Sequence, residues 1–431
     1  DLPRIYLAFA TAYFNLGQVG ESIEYLDKAL ALIEELRAVE NTNLSLGLLE
    51  TYHAAYRLLT QINLKRPLEA FELADYLKAR LLKDKINNSQ TTVKSVITPE
   101  LRQKLENRSL EMFDDKNVAE EISKLESSFT TFVPQLPLDK PRLSQLDRIP
   151  DLDDKAIVSY LFTVDQRLVA FVWEKGTPVR SVSLPVSEPD LEAEVMQTEQ
   201  KIQNRIFFKR DGKGLYDKLL EPLDVSAQHL IIVPDKYLWK IPFQALSPDG
   251  ERYLIENKLI SYAPSVSILL EQLKAPKPAR RTIQVFANPL FDNQFLQYVN
   301  REATTVAGLF GTRPVLNATT TDFRQRSDKA DITHFSMHAQ VNNDDPMNSF
   351  LGFKRAGGNN GRLTVEDILR SRLKQGSLVF LASCDTNRVL SGEGLVSLAW
   401  GMMGAGATTV ISAQWEANDK LTSVFSKAFY N

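Results

Sequence analysis

The sequence is poor in cysteine and histidine, the two residue types that build most zinc sites. Its 431 residues include one cysteine, Cys384, and four histidines. A single cysteine excludes an intramolecular disulfide and a zinc cluster built from several thiolates. It also agrees with a reducing compartment, so we expect a cytoplasmic protein.

The sequence also lacks an excess of charge of one sign, and it lacks a long apolar run. The chain has 51 Lys and Arg against 54 Asp and Glu, for a net charge of -3. No strongly basic face is indicated, so nothing points to direct nucleic-acid binding, although a nucleoprotein partner stays open. No apolar run reaches the roughly 18 residues that cross a membrane, and we expect no membrane association. The length instead indicates two or three globular domains.

Helical periodicity runs through residues 1–86. Apolar and small residues recur at helical spacing on either side of a Gly17 to Gly20 break, which predicts a helix hairpin. The segment around "AFATAYFNLGQVGESIEYLDKAL" resembles a tetratricopeptide (TPR) repeat, whose signature positions fall on Tyr6, Ala10, Tyr13, Gly17, Ser22, Leu26 and Ala29. A second unit over about residues 46–82 matches less well, and a helix hairpin packed on its own domain is the alternative. Because such repeats bury their faces against neighbours, we expect more of them before Asp1.

Residues 87–148 are predicted to form a linker and a charged helical stretch. The prolines of "VPQLPLDKPRL" mark a domain boundary near residue 145. Beyond it, "AIVSYLFTV" and "RLVAFVWEKG" predict a strand hairpin, and a helix is expected from about Glu188 to Phe207. Further strand candidates are "HLIIVP", "TIQVFANP", "DITHFSMH", "SLVFLASC" and "TTVISAQW". This order predicts an α/β fold, a largely parallel sheet covered by helices on both faces.

His338 and Cys384 each end one of these predicted strands. Parallel strands present their carboxyl ends along one edge, so both side chains are expected on the same rim, although they are 46 residues apart (384 minus 338). An imidazole beside a thiol takes its proton and makes the sulfur a nucleophile. The alternatives are a buried apolar cysteine and a histidine with a structural role. His334 points to the same side of its strand as His338 and is a candidate neighbour of the pair.

Ten segments follow one another in an order typical of one family. They are "IVSYLFTVDQRLVAFV", "GLYDKLLEPL", "LIIVPDKYLWKIPFQAL", "YLIENKLISYAPSVSIL", "FANPLF", "ITHFSMHAQ", "GRLTVEDIL", "LVFLASCDT", "GEGLVSLAWGMMGAGATTVISAQWEAND" and "FY". In this order they resemble the CHAT domain, a family similar to caspases and separases, here behind TPR repeats. The resemblance implies two caspase-like halves, an inactive half over residues 149–278 and a catalytic half over residues 279–431.

The resemblance assigns His338 and Cys384 to the family's catalytic histidine and nucleophile. Ala339 stands where the family often has glycine. The backbone N–H groups of Ala339 and Cys384 are the expected donors to the oxyanion. An alanine serves at this position only if the local backbone does not require a positive φ.

Four further residues match positions near the expected substrate pocket, namely Asp385, Glu393, Trp415 and Asp419. Asp385 would attract a basic substrate residue or, by its charge, oppose thiolate formation. For Glu393 the alternative is a carboxylate favoured at a helix start. For Trp415 the alternative is core packing, and for Asp419 it is a helix N-cap.

The sequence therefore predicts a cysteine endopeptidase that cleaves a protein substrate without a metal or an organic cofactor. Cys384 attacks the scissile carbonyl, His338 serves first as base and then as acid, and water hydrolyses the acyl-enzyme. The TPR surface is expected to bind a protein partner that targets or activates the enzyme. The alternative is a TPR-CHAT scaffold that binds proteins without cutting them.

Overall fold

A computed structural model describes most of the chain. The described residues are 2–39, 46–78, 82, 143–206, 208–276, 281–342, 345–383, 397–415 and 418–431. Cys384, Asp385 and Glu393 lie outside them, as do the predicted linker and most of the charged stretch that follows it. None of the described helices is both long enough and apolar enough to span a membrane.

The N-terminal part is helical, as predicted. Its helices are α1 (Leu2–Asn15), α2 (Val19–Val39), α3 (Leu46–Ile62) and α4 (Pro67–Leu77). Gly17 turns the chain between α1 and α2 with a φ of 75°, a conformation that favours glycine. Tyr13 and Tyr25 stack across this hairpin with their ring centroids 5.5 Å apart. Ser22, where the TPR pattern more often has alanine, is buried, and its hydroxyl donates to the Ala10 carbonyl at 2.7 Å.

A first five-stranded sheet follows, in the order β3-β2-β1-β4-β5. Its strands are β1 (Lys155–Phe162), β2 (Arg167–Glu174), β3 (Arg180–Ser187), β4 (His229–Val233) and β5 (Leu259–Tyr262). The β1–β2 hairpin is confirmed, and β4 and β5 continue the sheet in parallel. The sheet is therefore mixed rather than largely parallel, because β1, β2 and β3 are joined by short turns that only antiparallel strands allow.

Two helices, α5 (Glu188–Gln203) and α6 (Lys209–Leu219), connect β3 to β4. Ser187 caps α5, since its hydroxyl accepts from the Asp190 N–H. The expected extension of α5 to Phe207 is wrong. Arg205 adopts a φ of 57°, and this left-handed conformation ends the helix.

The second sheet is parallel throughout, in the order β15-β14-β10-β6-β9. Its strands are β6 (Ile283–Asn288), β9 (Val315–Leu316), β10 (Ile332–Met337), β14 (Ser377–Ala382) and β15 (Ala407–Ile411). The associated helices are α7 (Val266–Leu273), α8 (Val299–Leu309), α9 (Thr320–Arg326), α10 (Val365–Arg370), α11 (Leu398–Gly404) and α12 (Asp419–Tyr430). Side chains of α9, α10 and α11 cover one face and those of α8 and α12 the other, so the predicted parallel sheet between helices is confirmed for this half.

Two small β units stand at the carboxyl edge of this sheet. One is the hairpin of β7 (Leu290–Phe291) and β8 (Gln294–Phe295). The other is a three-stranded antiparallel sheet of β11 (Ala339–Gln340), β12 (Phe350–Gly352) and β13 (Arg362–Thr364).

The N-terminal helices share a hydrophobic core with the first sheet. Phe71 of α4 stacks on Phe171 of β2 with ring centroids 5.5 Å apart. The Arg57 guanidinium binds Asp235 in a bidentate pair, at 2.6 and 2.8 Å. Lys78 Nζ donates to the Ser159 hydroxyl at 2.9 Å and to two strand carbonyls. All three ammonium donors are therefore used, and helices and sheet are joined by polar as well as apolar contacts.

Candidate catalytic site

The carboxyl rim of the second sheet carries His338. β10 ends at Met337, so His338 is the first residue beyond the strand, as the sequence predicts. The parallel register pairs Ser336 of β10 with Ala382 of β14. Cys384 itself lies outside the described residues, and the β14 side of the rim is described as far as Ser383.

The His338 imidazole is half-buried against the β7–β8 hairpin. Its Nε2 lies 3.1 Å from the Gln294 carbonyl oxygen. A carbonyl can only accept, so Nε2 carries the hydrogen, and Nδ1 is left with a lone pair in the neutral ring. Burial lowers the pKa of His338 below its ordinary value, against the opposing effects of the Gln294 carbonyl, the Asp419 charge and the Pro289 carbonyl. Burial therefore favours the neutral ring, which is the form that a general base requires.

Residues close in sequence explain why the β7–β8 hairpin, which contacts His338, forms. Asp292 and Asn293 form the two-residue turn with φ values of 45° and 64°, as a type I′ turn requires. The buried Asn288 side chain donates to the carbonyls of Leu290 (3.0 Å) and Gly352 (2.9 Å), which ties the hairpin to β12. This hairpin was not among the predicted elements. Its signal was the turn pair in "LFDNQF", between residues that suit short strands.

Ala339 lies in β11, opposite Leu351 of β12. The Gly352 N–H donates to the His338 carbonyl at 2.8 Å, a bond that flanks the Ala339–Leu351 pair. Ala339 is therefore at a non-hydrogen-bonded position of the ladder, and its own N–H is directed away from β12. Its backbone is not among those with positive φ. An alanine in place of glycine thus introduces no strain at this position.

The segment after β15 approaches both halves of the molecule. The Gln414 amide donates to the Trp239 carbonyl at 3.2 Å, and Gln244 donates to the Gln414 side chain at 3.2 Å. Trp415, the next residue, is half-buried. The N-cap of α12 is Asn418, whose side chain accepts from the Leu421 N–H at 3.2 Å. The alternative in which Asp419 is the N-cap is therefore wrong.

Comparison with known protein families matches residues 209–431 to the CHAT domain. The chain belongs to the CHAT domain family. A human relative, Tetratricopeptide repeat protein 28, is 23% identical over 287 residues. The match covers 52% of this chain and 12% of that protein, so the chain spans only a small part of the length of this relative. CHAT domains are caspase-like in fold, which agrees with the parallel second sheet between two helical layers.

Within the CHAT domain, His334 belongs to a buried network rather than to the rim. Its Nδ1 lies 3.3 Å from the Tyr430 hydroxyl of α12, and its Nε2 lies 3.4 Å from Glu302 Oε1 of α8. The same carboxylate accepts from the Ser336 hydroxyl at 2.6 Å and from Ser426. Glu302 was not among the predicted site residues, because nothing in the neighbouring sequence distinguishes it from an exposed helical carboxylate.

The described part of the CHAT domain thus contains His338, Ala339, Trp415 and Asp419. Asp385 and Glu393 stay predictions, since they lie with Cys384 outside the described residues. Across the ranges that the structure describes, no group of three or more His, Cys, Asp or Glu side chains is arranged to hold a metal ion. This rim thus presents an imidazole that carries its hydrogen on Nε2 and, at the next residue, a backbone N–H that is not bonded to β12.

Proposed function

We propose that this chain is a caspase-like cysteine endopeptidase in which Cys384 and His338 form the catalytic dyad. The observation that carries the proposal is the register of the second sheet. Ser336 of β10 pairs with Ala382 of β14, and we propose that the chain keeps this register for two further residues, which would bring His338 and Cys384 together. The chain has no thiol other than Cys384.

In the proposed mechanism the free Nδ1 of His338 takes the thiol proton of Cys384. The resulting thiolate attacks the scissile carbonyl carbon, and a tetrahedral oxyanion forms. His338 then gives the proton to the leaving amine as the C–N bond breaks. Water, deprotonated by the same ring, hydrolyses the thioester and releases the acid product and the thiol. No metal or organic cofactor takes part in these steps.

Ala339 supports the oxyanion in this proposal. Its N–H, directed away from β12, together with that of Cys384, would donate to the negative oxygen. The Ala339 backbone is held in place by the β11–β12 pairing. Its N–H would therefore need little reorganisation as negative charge develops on the oxyanion. The substrate pocket is proposed to include Asp385 and Glu393, with Trp415 as an apolar wall.

The N-terminal helices are proposed to be TPR repeats that bind a protein partner. The TPR-like signature of α1 and α2 and the TPR name of the human relative support this assignment. Because α3 and α4 pack directly on the first sheet, a partner on the repeats has a mechanical route to the CHAT domain. We expect the isolated chain to cleave a generic casein-like substrate only weakly and to become active when the partner binds.

The single thiol makes the dyad directly testable. Iodoacetamide added to the folded protein can alkylate only Cys384, and mass spectrometry counts the adduct. We expect alkylation near pH 7 to be faster than that of a free thiol, because His338 raises the thiolate fraction. His338→Ala should slow it roughly tenfold, whereas His229→Ala, at the start of β4, should leave it unchanged.

Equal rates in wild type and His338→Ala would overturn the dyad. Cleavage-site profiling of intact protein, with candidate partners added and Cys384→Ala as the control, tests peptidase activity itself. A partner that binds tightly but gives no Cys384-dependent cleavage would favour the non-cleaving TPR-CHAT scaffold.

A further inference from the structure

Asp419 links the start of α12 to the start of α8. Its Oδ2 accepts a hydrogen bond from the Tyr298 backbone N–H at 2.8 Å. Tyr298 stands at the N-cap position of α8, but its own side chain makes no capping bond there. The Asp419 carboxylate thus accepts from a backbone N–H at the start of a helix, 121 residues away in sequence. It lies beside the positive end of the dipole of that helix.

Tyr298 is joined to the catalytic histidine by a short stretch of chain. Four residues before it lies Gln294, whose carbonyl oxygen is 3.1 Å from His338 Nε2. Between them the Leu296 N–H donates to the Pro289 carbonyl at 2.8 Å and closes the base of the β7–β8 hairpin. The stretch from Gln294 to Tyr298 is therefore held by the pairing of β8 with β7, by the bond at the hairpin base and by Asp419 at its end.

We propose that Asp419 is a positioning residue for His338, which it acts on by holding the hairpin whose Gln294 carbonyl orients the imidazole. The inference rests on the proposed catalytic role of His338. It replaces the sequence-based expectation that Asp419 reads the substrate residue before the cut bond. Asp419 need not touch substrate for this role.

Three features of the described residues support this assignment. Helix α12 is anchored along its length, by Ser426 on Glu302 and by Tyr430 on His334, so Asp419 at its first turn is held in place. Asn418 already caps α12, so the Asp419 carboxylate is free to serve α8. The negative charge of Asp419 is also close enough to raise the pKa of His338, which places the two groups in one electrostatic environment.

Two substitutions separate the hydrogen bond from the charge. Asp419→Asn keeps an oxygen that can accept from the Tyr298 N–H but removes the charge. Asp419→Ala removes both. Asp328→Asn is the matched control, because Asp328 is an exposed carboxylate of the same half that precedes β10, at the strand's opposite end from His338.

The first readout is independent of activity. In a Cys384→Ala background, which removes coupling to the thiol, ¹⁵N NMR of the four histidines reports the tautomer and the pKa of His338. We expect Asp419→Asn to lower the pKa of His338 and to keep hydrogen on Nε2. Asp419→Ala should lower the pKa and also give a mixture of tautomers, while Asp328→Asn changes neither.

The second readout is alkylation of Cys384 in the otherwise native chain. We expect Asp419→Ala to slow it by roughly 10- to 100-fold and Asp419→Asn much less, because a small misplacement of a catalytic group costs about that much. An unchanged His338 spectrum in Asp419→Ala overturns the inference, and a changed preference for basic residues before the cut, with that spectrum intact, assigns Asp419 to the pocket instead. If the spectrum changes but His338→Ala alkylates normally, the contact stands and the proposed dyad fails.

Discussion

At the residue scale, charged side chains are buried between the N-terminal helices and the first sheet, among them Arg57, Lys78 and Asp235. Asp235 is almost fully buried, and burial alone would raise the pKa of its carboxyl. The Arg57 guanidinium, with help from Lys78 and the Phe162 N–H, overcomes this effect and holds the pKa well below its ordinary range. The pair is stable only because each charge has its partner.

We expect Arg57→Ala to lower the free energy of unfolding by roughly 3 to 5 kcal/mol, since it leaves Asp235 buried and unpaired. Replacement of both partners, Arg57→Met with Asp235→Leu, should cost much less, because no charge then remains without a counterion. Urea unfolding monitored by circular dichroism measures both. A double variant as unstable as Arg57→Ala would contradict this account.

The same pair predicts a pH dependence. Because the folded-state pKa of Asp235 is depressed, its contribution to stability is present above about pH 4 and is lost as the pH falls through the folded-state value. We expect the wild-type free energy of unfolding to decrease more steeply below pH 4 than that of the Arg57→Met, Asp235→Leu double variant. Parallel curves for the two proteins would exclude Asp235 as the source.

At the element scale, the β7–β8 hairpin is the unit that determines how His338 is held. Gly352 of β12 faces it, and a Cβ at this position would lie 2.7 Å from Cγ of the Phe291 ring. Phe291 is buried, so its ring cannot simply turn away. The lack of a side chain at Gly352 therefore allows Phe291, and with it the β7–β8 hairpin, to pack against β12.

We expect Gly352→Ala to cost about 1 to 3 kcal/mol of stability through overpacking and to slow alkylation of Cys384. Gly308→Ala in α8 is the control, since a Cβ there meets nothing within 4 Å. It should leave reactivity unchanged and stabilise the helix by up to about 1 kcal/mol. A Gly352→Ala protein with wild-type reactivity would show that hairpin position does not matter to the site.

Helix α7, which connects the two sheets, is capped by an N-terminal helix. Asp75 of α4 accepts from the backbone N–H of Val266 and from that of Ser267 at 2.9 Å. Burial nevertheless raises the pKa of Asp75 above its ordinary value, so ionisation at this position has a cost. The N-terminal helices thus contact the segment that leads into the second sheet.

We expect Asp75→Ala to reduce stability by about 1 to 3 kcal/mol, because two buried N–H groups lose their acceptor. Asp75→Asn keeps an acceptor without a charge and should cost less. Hydrogen exchange followed by mass spectrometry should show faster exchange of residues 266–273 in Asp75→Ala than in Asp75→Asn. Equal exchange in both variants would mean that α7 does not depend on this cap.

At the scale of the whole molecule, the described helices and the first sheet do not form separate cores. Phe71 and Leu73 of α4 are packed in one cluster with Val169, Phe171 and Trp173 of β2. The matched CHAT region begins at residue 209, so β1, β2 and β3 lie before it and are covered by these helices. The unit that shares one hydrophobic core therefore extends beyond the region matched to the CHAT domain.

We expect a chain of residues 143–431 to aggregate or to unfold at much lower urea concentration than the whole chain, because one face of its first sheet becomes exposed. Co-expression with residues 1–86 as a separate chain should restore solubility if this packing is the cause. Size-exclusion chromatography and urea unfolding measure both. A stable, monomeric 143–431 fragment would contradict the shared core.

The sequence by itself determined the local elements and the place of the key histidine. Short apolar and β-branched runs predicted β1, β2, β10 and β14, because strands buried on both faces are apolar along most of their length. β10 ends at Met337, which puts His338 at the rim of the second sheet. The parallel register of β10 with β14 is described as far as Ser336 and Ala382, and the meeting of His338 with Cys384 stays a prediction.

Only the tertiary structure decided which distant groups meet. The Gln294 carbonyl is 44 residues from His338, Asp419 is 121 residues from Tyr298, and Arg57 is 178 residues from Asp235. Periodicity reports whether a position is buried, but it carries no information on the partner of a polar group. A hydrogen bond depends on position to a few tenths of an ångström, and that is fixed only when whole helices and sheets pack together.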